Sequence, residues 1–91
     1  MNGLEGAGSD IFMKPSALIL KYGWIKHFFG SPEEGFCMLG ALRYSCKTQP
    51  EYDRKLDRLC LGIRGEWVGT WNDAPGRTKR QVLAALRKAG Q

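Results

Sequence analysis

Read for apolar positions, the chain becomes patterned at residue 15. Leu18, Ile19 and Tyr22 share one helical face, Pro15 suits a first turn, and Gly23 suits a left-handed stop. This predicts a helix over 15–22. The next six residues, Trp24-Ile25-Lys26-His27-Phe28-Phe29, are rich in strand formers but alternate poorly, so an extended connector is expected. Ser31-Pro32-Glu33-Glu34 then reads as a capping box, with Ser31 as N-cap, Pro32 at N1 and Glu34 at N3. The helix it would open carries Phe36, Cys37, Met38, Leu39, Ala41, Leu42 and Tyr44. It is apolar nearly all round, and therefore expected at the centre of the domain. Gly35 and Gly40 weaken such a helix, so each is expected to admit a neighbouring backbone.

Thr48-Gln49-Pro50-Glu51 repeats the box, again with Pro at N1. Tyr52, Leu56, Leu59, Cys60 and Ile63 follow on one stripe, with Asp53, Arg54, Lys55, Asp57 and Arg58 outside. A third box opens at Thr78 with Gln81 at N3, and Val82, Leu83, Leu86 and Ala89 form the buried stripe of a last helix. Residues 66–77 hold two tryptophans, an Asn-Asp pair and a Pro-Gly pair. They are too apolar for a plain linker and are expected to fold back on the body as a structured loop. The fold class expected is mostly α: a compact single domain of about four helices, with a structured Trp-rich loop before the last helix. Residues 1–12 have little apolar mass and are expected to be a flexible leader to a single helical domain over 13–91.

Composition narrows the picture. At 91 residues one small core is expected, and there is no room for a two-domain enzyme or a barrel. The net charge of +5 favours anionic partners. Five of the 14 cations, Arg77, Lys79, Arg80, Arg87 and Lys88, lie in residues 77–91 with no acid beside them, which leaves the remainder neutral. The 3 cysteines, Cys37, Cys46 and Cys60, are an odd number without a C-x-x-C pair, and no signal peptide or membrane-length apolar run is visible. A reduced, cytoplasmic protein with mostly buried thiols is expected. One His and scattered Cys give no metal spacing, and phosphate-binding glycine motifs are missing, so no metal and no cofactor are expected.

Two motifs carry a resemblance. Residues 36–42, FCMLGAL, contain a C-x-x-G-A-L element, and residues 71–78, WNDAPGRT, form a W-N-D-x-P-x-R-T element followed by a helix. With Gly23-Trp24 as a third shared piece, they resemble a functionally uncharacterised family of small proteins from actinobacteria and their phages. The similarity covers roughly residues 15–89. A compact 23–37 loop and the leader depart from the family's pattern. The resemblance implies a small, mostly helical domain from a phage or mobile element, with no enzyme activity.

Around the second motif, Trp71 and Asp73 read as structural, Trp71 as a loop anchor and Asp73 as an Asx turn or a partner of Arg77. Thr78 reads as an N-cap, Trp24 as structural, and Cys37 as a small buried hydrophobe rather than a nucleophile served by His27. The functional reading sets backbone N–H groups at the start of the last helix beside Arg77, Lys79 and Arg80, suited to phosphate. Trp67 or Trp71 would offer a stacking face, and Asn72 completes the candidate contact set. The expected function is a non-catalytic phage or mobile-element protein that binds a host component in the host cytoplasm, by sequestering an anionic nucleotide. Two alternatives stand beside it: a protein-protein inhibitor of a host defence complex of the anti-CRISPR type, and a small nucleic-acid-binding regulator. For the last, Lys21, Lys26 and His27 interleave with Tyr22, Trp24, Phe28 and Phe29, though such aromatics usually pack the core.

Overall fold

The computed structural model describes residues 13–91, so the expected leader, 1–12, lies outside the described residues. Five helices and a hairpin follow in order among them: α1 (Pro15–Tyr22), β1 (Gly30–Ser31), β2 (Gly35–Phe36), α2 (Met38–Ser45), α3 (Gln49–Gly62), α4 (Val68–Asp73) and α5 (Lys79–Lys88). The protein is mostly α and forms one small domain around a single apolar cluster. The helix count exceeds the expected four because α4 occupies the stretch expected to be a loop.

The helix α1 matches its sequence signals. Pro15 opens it, Leu18 and Ile19 are fully buried, and the Gly23 N–H closes it on the Ile19 carbonyl at 2.8 Å. The main departure comes next. The Ser31 box does not start a helix. The Glu34 N–H reaches Ser31 Oγ at 3.3 Å and the Ser31 carbonyl at 3.1 Å, but these bonds close a β-turn. In the resulting antiparallel hairpin Gly30 faces Phe36 and Ser31 faces Gly35. Local side-chain bonds of this kind serve a turn as well as a helix start, and the next backbone angle decides. Gly35 sits at φ +93°, and a Cβ there would stand 2.9 Å from the Gly23 carbonyl. That angle is outside the helical region. The chain stays extended long enough for Phe36 to pair with the connector: its N–H donates to the Gly23 carbonyl at 2.9 Å, and its carbonyl accepts from Ile25 at 3.1 Å.

The central helix, α2, therefore begins only at Met38, with Cys37 as N-cap and its Sγ accepting from the Gly40 N–H at 3.3 Å. Gly40 meets its expectation. A Cβ there would collide with the Phe29 carbonyl oxygen, which also accepts from the Cys37 N–H at 3.2 Å. At α3 the box is partial. Thr48 Oγ1 accepts from the Glu51 N–H, but the Glu51 carboxylate takes the Lys47 N–H, and Pro50 follows Gln49 rather than opening the helix. At α5 the box is complete between Thr78 and Gln81. The core joins Leu18 and Ile19 to Phe36, Met38, Ala41 and Leu42, then to Leu59, Val68, Val82 and Leu86, each of them at most 2% exposed. No helix among the described residues is long and apolar enough to cross a membrane.

Candidate functional site

The WND segment is the structural crossroads of the molecule. Asn72 is fully buried. Its Oδ1 accepts from Trp24 Nε1 at 2.7 Å and from the Met38 N–H at 3.1 Å. Its Nδ2 donates to the Ile25 carbonyl at 3.2 Å and to Asp73 Oδ1 at 2.9 Å. All four hydrogen-bonding positions of the side-chain amide are filled. One residue thus ties the connector, the start of α2 and α4 together. This corrects the expectation that Asn72 contacts a ligand: no part of it reaches the surface. Trp24 has the structural role expected of it, as Asn72's partner.

Asp73 is structural in a different way from the one expected. It pairs with neither Arg77 nor its own turn. Oδ1 accepts from the His27 N–H at 2.9 Å as well as from Asn72, and Oδ2 lies 3.5 Å from His27 Nδ1. Burial pushes its carboxyl up, but the bonds from Asn72 and the His27 backbone outweigh this, with help from His27 and Lys26, and hold it below the usual carboxylate range. The clamp fixes His27 at φ +75°, a backbone angle uncommon outside glycine.

Residues two apart on a helix point to nearly opposite sides, so α4 serves two surfaces. Trp71 lines the first, an open groove of 550 Å³ shared by the last residue of α3 and the turn after it (Gly62, Ile63, Arg64 and Glu66), by Arg77 and by α5 (Gln81, Ala84, Ala85 and Lys88). The α5 residues recur at i, i+3, i+4 and i+7, the spacing of one helix face. Arg77 lies over Trp71, its guanidinium carbon 3.7 Å from the ring centroid, and its Nε donates to the Trp71 carbonyl at 2.7 Å. Stacking and hydrogen bond fix the guanidinium plane and leave its two terminal nitrogens unused by these contacts. Arg64, Arg77 and Lys88 set three cations around the groove against one acid, Glu66.

Gly69 and Asp73 line the second surface, a 240 Å³ pocket completed by His27, Phe28, Phe29, Cys37 and Leu39. Phe28 is 73% exposed and Phe29 61%, so these two aromatics of the connector do not pack the core, unlike Tyr22 and Trp24. Trp67, 54% exposed, lies beside Gly69 and Leu39 rather than in the basic groove. Burial pushes the Cys37 thiol up, against the N–H bonds of Gly40 and Leu39, as suits a small buried side chain. Cys60 is half-buried and its thiol donates to the Glu66 carbonyl at 3.1 Å.

The chain belongs to the family of unknown function DUF6197. The match spans residues 7–91, the whole described domain and part of the stretch before it. No curated protein and no solved structure matches the chain. For this DUF6197 domain, the candidate contact residues other than the buried Asn72 therefore divide three ways. Trp71 and Arg77 meet in the groove. Trp67 lies beside Gly69, a residue of the aromatic pocket. Lys79 and Arg80 are exposed on the first turn of α5, outside the groove lining. The sequence reading missed Arg64, which follows α3 at φ +65°, and it counted Lys88 only as part of a charged tail. The periodicity of α5 carried the signal for Lys88, four residues beyond Ala84 and seven beyond Gln81. Arg64 had none.

Proposed function

We propose that this chain is a non-catalytic binding protein of a phage or mobile element, which takes up an anionic nucleotide of its host in the groove between α3 and α5. The observation that carries the reading is the Arg77–Trp71 stack. A guanidinium held over a ring and by a backbone carbonyl is a pre-oriented fork for phosphate, which costs less ordering on binding than a free side chain. Arg64 and Lys88 supply the remaining positive field. The Trp71 face is already covered, so a base would stack on the guanidinium plane rather than on the indole. Sequestration of this kind asks for affinity and no bond-breaking step. The test is calorimetric titration of the full chain with a panel of mono-, di- and triphosphate nucleotides and a short single-stranded oligonucleotide, at two salt concentrations. Saturable nucleotide binding that is lost in Arg64→Glu/Lys88→Glu supports the reading. Binding of the oligonucleotide alone, steeply weakened by salt, replaces it with the nucleic-acid reading. No binding of any of them removes it.

A second reading, an antagonist of a host protein complex, is favoured by the exposed Phe28, Phe29 and Trp67. Phe28 and Phe29 line one pocket and Trp67 lies beside its Gly69, and large apolar side chains collected in this way mark a surface for a protein partner.

A further inference from the structure

We infer that the pocket between the connector and α4 is a docking site for a single cationic side chain, arginine or lysine, presented by a partner protein. The inference rests on the protein-partner reading and names the chemistry that partner must show. Its volume, 240 Å³, suits one side chain. The walls are apolar, with Phe28 and Phe29 standing out from the body and Leu39 and Cys37 below them. Gly69 keeps the floor low, where a Cβ would press on the Trp67 indole nitrogen and a Leu39 methyl.

One full charge faces this apolar space. Asp73 Oδ1 is saturated by the His27 N–H and Asn72, whereas among the described residues Oδ2 has only the His27 ring nitrogen, at 3.5 Å. An apolar occupant would strip water from Oδ2 and return no donor, which is the costly way to cover a carboxylate. An anionic occupant would meet like charge. An arginine or lysine fits both halves: its methylene stem lies along the apolar walls, its head donates to Oδ2, and the phenyl faces attract the charge. None of the protein's own Lys or Arg side chains lines the pocket, and nearby Lys26 is held by the Ala74 carbonyl at 2.8 Å.

The experiment uses the full chain, labelled with nitrogen-15, titrated separately with N-acetyl-arginine amide and with N-acetyl-citrulline amide, its neutral isostere. Amide shifts of Leu39, Gly69 and Asp73 are followed together with the groove amides of Arg64 and Lys88. The expected result is saturable shifts around the pocket with the arginine probe, about tenfold weaker binding of citrulline, and still groove amides. Replacement of exposed Phe28 by Ala should weaken the arginine probe several-fold with an unchanged melting temperature, which separates a binding role from a folding one. Equal binding of both probes would overturn the charge inference and leave an apolar protein-docking surface standing. Silence of both probes up to tens of millimolar would overturn the inference and the surface reading together. Pocket shifts that follow protein concentration without probe would identify a second copy as occupant and overturn the inference as well.

Discussion

The two surfaces served by α4 are built in opposite ways. In the groove the charged groups sit at helix ends and turns: Arg64 after α3, Arg77 before α5, Lys88 at its last residue. Among the described residues, Arg77 alone of these three is tied to the body by a hydrogen bond and a ring contact. In the pocket the charged group is Asp73, wired through Asn72 into the centre of the fold, while the apolar groups are the ones left in solvent. A basic rim can change without cost to folding, because solvated cations contribute little stability. A carboxylate bonded to a buried amide cannot. Mutations at the two surfaces should therefore separate binding from folding.

The largest expected effect is at Asn72. Its replacement by Ala leaves Trp24 Nε1, the Met38 N–H and the Ile25 carbonyl without their partner, around a side chain that is fully buried. Unsatisfied buried groups cost about 1–3 kcal/mol each, so a loss of at least about 3 kcal/mol is expected, a fall of more than about 12 °C in a domain of this size. Thermal unfolding measures it. A loss under about 1 kcal/mol would mean that the two surfaces are not joined through this amide. Gly40→Ala comes next, because its methyl group must displace the Phe29 carbonyl, and a loss of about 2 kcal/mol is expected in the same assay.

The groove should behave otherwise. Charge reversal at Arg64 and Lys88 should weaken nucleotide binding by more than about tenfold, while the melting temperature stays nearly unchanged. Reversal at Lys79 and Arg80, outside the groove lining, should have a several-fold smaller effect on the same titration. Equal loss from both pairs would make the basic end of α5 as a whole, rather than the groove, the binding surface.

How much of this was legible in the sequence follows from the range of the forces involved. α1, α3 and α5 were readable because their signals are local: a proline at the start, a stripe at helical spacing, a Thr cap. The hairpin was not, because Ser31-Pro32-Glu33-Glu34 makes the same short bonds in a turn as at a helix start, and the choice lies with Gly35 packed against Gly23, twelve residues earlier. α4 was missed since Val68–Asp73 is short and bounded by residues that read equally well as turn. Asp73 was placed as structural from its turn chemistry, but its partner, His27, lies 46 residues away. Asn72 shows the limit most clearly. A polar residue between a tryptophan and an acid reads as exposed, and only the assembled fold shows Trp24, Ile25 and Met38 converging on it.

The smallest expected effect tests the wiring of the pocket through its pH dependence. Asp73 is held below the usual carboxylate range, so the folded protein binds a proton there less readily than the unfolded chain does. Its contribution to stability is fully present above the unfolded value, about 3.9, and is lost as pH falls through the lower folded value. Asn at this position keeps an oxygen for the His27 N–H but has no charge to lose. At neutral pH, Asp73→Asn should therefore be less stable than the native chain by on the order of 1 kcal/mol. The gap should begin to close as the pH falls below about 4, where the unfolded chain takes up its proton, and should be gone once the folded carboxyl is protonated as well. Chemical denaturation at a series of pH values reads both curves. A gap that stays constant into acid would assign the loss to packing at position 73, and the clamp on His27 would then owe nothing to the carboxylate charge.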